Sequence, residues 1–351
     1  MDKDKNKLIQ KVNQMAVSYE KYRILPLAEI PCEIYETLDY TLRKEPDGQE
    51  GWKTLKIGDE WGEERGYAWL RGDITIPPEW AGKELWLKSG ADATECLLFL
   101  DGKPSGIFDY TEEVAKPWER VHVIQPLMQS AIPGKTIHIS LEAYAGHKVL
   151  GTMPFEDFQN CDNFYPNRWR RRFAGMTVVE IDHEVDRFIS RLKTMAQYYH
   201  CLDEHCFLKW KISNIYEELF VLLPQMPGEY PDTSWRELLG KANRLLDSVF
   251  ECRLPDGEQY LGYAGLVGHS HLDAAWQWPV HETIHKAART FSNALRVMDK
   301  YPDYTFIQSS VAYIEWMRQY YPDIFEGIRK KTDEGQWEPN GGSWIECDGN
   351  M

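Results

Sequence analysis

The sequence lacks most of what marks an exported or membrane-bound chain. No apolar run approaches the ~18 residues that span a bilayer, so a membrane-embedded helix is not expected. The first residues, MDKDKNKLIQKVNQMAVSYEKY, are charged and hold no apolar core of the signal-peptide kind. No Asn-x-Ser/Thr sequon occurs. Cysteine is scarce and unpatterned: Cys32, Cys96, Cys161, Cys201, Cys206, Cys252 and Cys347 are odd in number, widely spaced and form no CxxC pair. A disulfide framework is therefore excluded, and reduced thiols in a cytoplasmic protein are the expectation. Positive charge is short as well, with 40 Lys and Arg against 55 Asp and Glu and a net charge of −15. The resulting field repels nucleic acid and anionic membrane surfaces, so neither is an expected partner. Repeats and low-complexity tracts are absent.

What remains is a chain of 351 residues, 43% hydrophobic, long enough for two or three domains with real cores. Aromatics are plentiful, with 14 tryptophans and 19 tyrosines. Their flat faces suit sugar rings, although core packing accounts for most of them.

The patterning changes along the chain. Residues 1–30 read as a helix followed by an extended arm. Residues 31–175 read as short strands: YAWLRGDITIPPEW stops at a double proline, KELWLKSG alternates Leu85 and Leu87 against polar neighbours, and Asp101-Gly102 is a two-residue hairpin turn. The expectation is an antiparallel, jelly-roll-like β-sandwich. Residues 176–258 turn helical. Val185, Phe188, Ile189, Leu192, Ala196 and Tyr199 share one face, Ile212, Ile215, Tyr216 and Leu219 another, and Ser234 with Glu237 suggests a capping box. From 259 to 351 strands and helices alternate: YAGLVG as a buried strand, a helix over about 279–298, the strand YTFIQS, helices over 311–334 broken at Tyr321-Pro322, and the strand in GQWEPNGGSW. Alternation of this kind implies a parallel α/β sheet. With three strands the sheet is small, and the domain is expected to be the truncated start of a larger one.

Ligands bind beyond the carboxyl ends of strands in open parallel sheets. The first strand delivers His269, His271 and Asp273 there, and the third delivers Glu346 and Asp348. His271 and Asp273 are two apart, so an extended segment points both the same way. An imidazole and a carboxylate on one side make half of a divalent-metal site, with Asp348 as a third ligand. A bare H-x-D also fits a loop histidine bonded to a nearby acid.

The continuous run GHSHLDAAWQWPVHETIHKAARTFSNALRVMDKYPDYTFIQSS and then VAYIEWMRQYYPDIFEGIRKKTDEGQWEPNGGSWIECDGN resembles the start of the catalytic domain of glycoside hydrolase family 38, the α-mannosidases. The β-rich and helical regions before it look like the N-terminal part of the family's cytosolic and bacterial branch. The resemblance implies a retaining, zinc-dependent hydrolase of terminal α-mannosides in oligosaccharides. His271 and Asp273 match the family's metal-ligand pair. Asp348 matches the aspartate that is both metal ligand and nucleophile, Trp276 an aromatic of the sugar subsite, and His269 the outer histidine in the second shell. The implied cofactor is Zn2+, with another divalent cation such as Co2+ as the alternative. The family's fourth ligand and general acid match no residue here. The chain therefore reads as an N-terminal fragment, inactive alone.

Rival readings stand beside this one. HETIH, residues 281–285, matches the zinc-protease signature, although Glu282 equally suits a helix N-terminus. NRWRRRF, with Arg168, Arg170, Arg171 and Arg172, is either a linker paired with acids or a subunit or domain interface, and a homo-oligomer is among the partner expectations. The alternative function is a non-catalytic carbohydrate-binding module built on the sandwich.

Overall fold

The computed structural model describes residues 2–109, 122–146, 170–229, 232–250, 264–276 and 278–346. The chain divides into two compact units, Met1–Leu27 with Val179–Tyr263, and Ala28–Val178 with Ala264–Met351. Among the described residues no helix is long and apolar enough to cross a membrane.

The first unit is helical, with α1 (Asp2–Tyr19), α2 (His183–Cys201), α3 (Phe207–Leu222) and α4 (Asp232–Phe250). Helix α2 starts at Asp182, whose side chain accepts the Val185 N–H at 3.1 Å, and two acids follow in its first turn, where the helix dipole favours them. Its expected stripe from Val185 to Tyr199 is buried, as is the Ile212–Leu219 stripe of α3. Tyr19 joins the helices, meeting Phe188 and Trp235 edge-on at 5.1 Å each. Two boundaries differ from expectation. Met176–Ile181 is a strand, since β-branched and apolar residues there bury into a sheet before the helical period begins. Helix α4 already runs from Asp232, so Ser234 sits inside it and does not cap it.

The second unit opens with antiparallel strands. They are β1 (Ile24–Glu29), which begins in the first unit's sequence, β2 (Cys32–Thr37), β3 (Lys53–Leu55), β4 (Glu60–Trp61), β5 (Tyr67–Thr75), β6 (Leu85–Ser89), β7 (Glu95–Leu100), β8 (Lys103–Asp109), β9 (Ile124–Met128), β10 (Thr136–Tyr144), β11 (Arg171–Arg172) and β12 (Met176–Ile181). One sheet has the order β1-β12-β6-β9 and a second has β3-β2-β5-β10-β7-β8. Leu85 and Leu87 are buried, as their alternation requires. Asp101 and Gly102 both take positive φ (49° and 75°), the twist a tight β7–β8 hairpin needs. Gly72 makes room for the β1–β2 link, because a Cβ there would stand 2.5 Å from the Pro31 carbonyl oxygen. In the basic cluster, Arg171 is a structural clamp: its Nε donates to the Ala145 carbonyl and its Nη2 to Thr94 Oγ1, both at 2.6 Å. Arg168 lies outside the described residues.

The rest of the second unit is a parallel ladder, β13 (Gly268–His269), β14 (Phe306–Ile307) and β15 (Trp337–Glu338), in the order β13-β14-β15. Helix α5 (Val280–Lys300) connects the first two strands, and α6 (Val311–Tyr320) and α7 (Pro322–Asp333) connect the next, with the break at Tyr321-Pro322 as expected. Phe291 of α5 meets Trp337 edge-on at 5.2 Å and fixes helix to sheet. The expected buried strand YAGLVG is a correction. Among the described residues only Gly268 and His269 of this segment pair, and Leu266 is 92% exposed, because there β13 lies at the edge of the ladder and nothing covers the segment before it.

Strands β5, β10 and β7 are buried on both faces, and α5 is the reason. Register places Tyr67, Trp69, Glu142, Tyr144, Glu95 and Leu97 on one face of the sheet. Trp69 and Leu97 join the core of α5. The polar members meet the helix's own polar groups: Tyr67 donates to Glu282, Arg289 pairs with Glu282 and with Glu95 (Nε to Oε2, 2.7 Å), and Lys286 pairs with Glu95. Burial, with Glu282 beside it, pushes the Tyr67 hydroxyl up, so it stays a donor. HETIH is therefore no metal motif. His281 stacks on Tyr40 at 4.0 Å, whereas His285 is buried, donating from Nε2 to the Tyr40 carbonyl at 3.0 Å and facing Glu142 and Tyr321 with Nδ1. Glu282 lies in the helix's first turn, but its partner is Arg289 more than the dipole.

A pH dependence follows. Burial alone would raise the Glu95 carboxyl, but Arg289 and Lys286 outweigh it and hold it at about 2, below its ordinary 4.5. A depressed folded pKa stabilises fully above the unfolded value and is lost as pH falls toward the folded one. Between about pH 4.5 and 2 the wild type should thus lose about 3 kcal/mol through this group. Urea unfolding across that range should show a steeper acid loss for wild type than for Glu95→Gln, and parallel curves would refute the assignment.

Candidate active site

Gly268 opens the site beside Tyr304: a Cβ there would lie 2.1 Å from the Tyr304 hydroxyl, so a larger residue would have to displace that ring. The three strands are short, and their carboxyl ends lead into loops that are tied together. Gln308 Nε2 donates to the Ser270 carbonyl at 3.2 Å. The free N–H groups at the start of α6 are satisfied from the third loop, Val311 by the Ser343 carbonyl at 3.2 Å and Ala312 by that of Trp344 at 2.9 Å. The Glu346 N–H donates to Ser310 Oγ at 3.0 Å.

These ties bring five side chains together. His271 Nε2 stands 3.3 Å from Asp273 Oδ1, and its Nδ1 stands 3.1 Å from Glu346 Oε2. His269 Nε2 is 3.4 Å from the other Glu346 oxygen, which also accepts from the Ser309 hydroxyl. Hydrogen bonding to Asp273 first, then to Glu346, raises the His271 pKa. The Ser309 hydroxyl, followed by His271 and His269, keeps the Glu346 carboxyl low despite partial burial. Trp276 is 61% exposed and meets Trp278 edge-on at 5.6 Å. Asp348 lies outside the described residues.

The donor chemistry fits a divalent cation. Tetrahedral zinc with bonds of roughly 2.0–2.1 Å sets neighbouring ligand atoms about 3.3–3.4 Å apart, the separation found between His271 Nε2 and Asp273 Oδ1. A carboxylate on the opposite ring nitrogen, the place Glu346 takes, is the usual device for orienting a ligating histidine. Among the described residues no group of three or more His, Cys, Asp or Glu has metal-holding geometry. A groove of about 780 Å³ runs along β15 between α6 and α7, lined by Phe325, Ile328, Trp337 and Trp344. His271 and Asp273 do not line it.

Sequence reasoning gave Glu346 a place but no role, and missed Ser309. The strand-end rule that selected His271 was applied to the first and third strands. Applied to the middle strand, it reaches Gln308, Ser309 and Ser310 directly.

Comparison with known proteins covers the segment that bears these residues. Residues 263–351 match the Glycosyl hydrolases family 38 N-terminal domain. The chain is 24% identical to Alpha-mannosidase 2C1 of Mus musculus and 26% to that of Homo sapiens, in each case over 86% of this chain and 27% of the relative. Over 24% of this chain and 8% of the relative it is 42% identical to Alpha-mannosidase G of Dictyostelium discoideum. The chain thus spans about a quarter of the length of the 2C1 relatives it matches. A solved Ruminococcus gnavus beta-glucuronidase aligns over 45% of this chain and 28% of its own, at 9% identity and a TM-score of 0.30, too low to carry an argument. The segment bearing the clustered side chains thus matches the Glycosyl hydrolases family 38 N-terminal domain, and the likeness to α-mannosidases extends over most of the chain.

Proposed function

We propose that this chain carries part of the active site of a zinc-dependent retaining α-mannosidase acting on terminal α-mannosides of oligosaccharides. The observation that supports it is the 3.3 Å spacing of His271 Nε2 and Asp273 Oδ1 at the carboxyl ends of parallel strands. In this reading His271, Asp273 and Asp348 would hold the ion, Glu346 and His269 would orient His271, and Trp276 would lie against the sugar. Residues 259–351 begin the catalytic domain, and the sandwich (31–175) and helical region (176–258) support it. The bound cation would supply charge to hold two neighbouring sugar hydroxyls and favour a distorted ring. The Asp348 carboxylate attacks the anomeric carbon as the glycosidic C–O bond breaks. The leaving oxygen takes a proton from an acid that no residue of this chain is assigned to supply. Water then releases mannose from Asp348 with retention. We place the protein in the cytoplasm, in keeping with the unpaired buried thiols of Cys32 and Cys96.

The test is hydrolysis of an aryl α-mannoside by the full-length enzyme. Asp348→Asn should abolish it, and chelation should do the same, reversed by added zinc. Activity that survives both treatments would contradict the reading. Sugar retained without metal and without turnover would instead favour a binding module.

A further inference from the structure

A loop positions a metal ligand only as well as its supports are fixed. The loop after β13 is supported from two sides. The Tyr313 hydroxyl donates to the Leu272 carbonyl. Thr283, fully buried on α5, donates to the Ala274 carbonyl at 2.5 Å and also reaches that of Asp273 at 3.4 Å. Thr283 Oγ1 is oriented in turn, since it accepts Trp278 Nε1–H at 3.1 Å. The face of Trp278 lies 4.6 Å from Lys286 Nζ, and Trp276 meets the same indole edge-on. Lys286 is held by Glu95, which stands on β7 of the six-stranded sheet.

We propose that Lys286 is a positioning residue for the candidate site, the link through which the β-sandwich sets the geometry of the His271–Asp273 loop. Glu95 fixes the ammonium, and the ammonium fixes the Trp278 ring by cation–π attraction. The Trp278 N–H fixes the Thr283 hydroxyl, and that hydroxyl holds the backbone at Asp273 and Ala274. The same ring sets the angle of Trp276. In this assignment the sandwich helps to build the site, and the sandwich does not act as a separate sugar-binding module. Its metal half rests on the function proposed above, while its structural half does not.

Lys286→Met tests it cleanly. The substitution keeps the apolar stem, and Glu95 keeps Arg289 as a partner at 2.7 Å, so no carboxylate is left buried alone. Lys286→Arg preserves the cation and serves as the rescue. Two quantities are read on the full chain: affinity for Zn2+ alone by chelator competition, and the far-ultraviolet exciton couplet of the edge-to-face Trp276–Trp278 pair, defined by its loss in Trp278→Phe. At a temperature where each variant is fully folded, Lys286→Met should lose most of the couplet and about tenfold in Zn2+ affinity, and Lys286→Arg should recover both. A full couplet in Lys286→Met would overturn the proposal, as would unchanged Zn2+ affinity or a loss that merely follows unfolding. A wild type that binds Zn2+ no better than His271→Ala would defeat the metal reading instead, and the couplet would then decide the positioning role alone.

Discussion

Replacing Glu282 by alanine is expected to cost the second unit about 3 kcal/mol of stability. Glu282 is fully buried, and its carboxylate faces the Arg289 guanidinium on one side and the Tyr67 hydroxyl on the other. Truncation leaves a buried cation short of one of its two carboxylates and a buried hydroxyl without its acceptor. Arg289 retains Glu95 at 2.7 Å, which keeps the loss at the lower end of the range for broken buried pairs. Glu282→Gln should cost less, because the amide oxygen still accepts from Tyr67. Replacing Glu282 and Arg289 together by methionine should recover much of the loss, since two desolvated charges vanish at once. Urea unfolding of the transition belonging to this unit measures all three. A loss under ~1 kcal/mol for Glu282→Ala would mean that the pair is solvated and does not dock α5 on the sheet.

His271→Ala should weaken Zn2+ binding by roughly 10²–10³-fold, as loss of one of a few strong ligands would. Glu346→Gln separates orientation from ligation. The amide keeps the shape but removes the charge beside His271 Nδ1, 3.1 Å away, so the loss should be about 10–100-fold. Isothermal titration with Zn2+ reads both. Equal affinities for wild type and His271→Ala would refute the site, and an unaltered Glu346→Gln would remove Glu346 from it.

How much of this was legible depended on which forces act locally. Helical stripes such as Val185–Tyr199 and the Asp101-Gly102 hairpin were readable because periodicity and turn chemistry are short-range. The parallel order of the last three strands followed from alternation alone. The strand Met176–Ile181 was missed because its pairing partners lie far away in sequence. The role of Glu282 was hidden for a related reason. A glutamate in a first helical turn looks dipole-stabilised and solvated, and only the cross-strand register of Tyr67, Glu142 and Glu95 reveals a buried polar face waiting for it. At the site, the H-x-D spacing predicted the convergence of His271 and Asp273, whereas Ser309 and the orienting bond of Glu346 depend on loops that meet only after folding.

Whether His271 and Asp273 share one divalent cation can be read by zinc-edge anomalous diffraction from crystals of the protein grown with Zn2+. A single strong peak is expected roughly 2.0–2.2 Å from both His271 Nε2 and an Asp273 carboxylate oxygen, with Asp348 closing on the same ion. A peak elsewhere, with His271 and Asp273 bonded only to each other at saturating Zn2+, would contradict it.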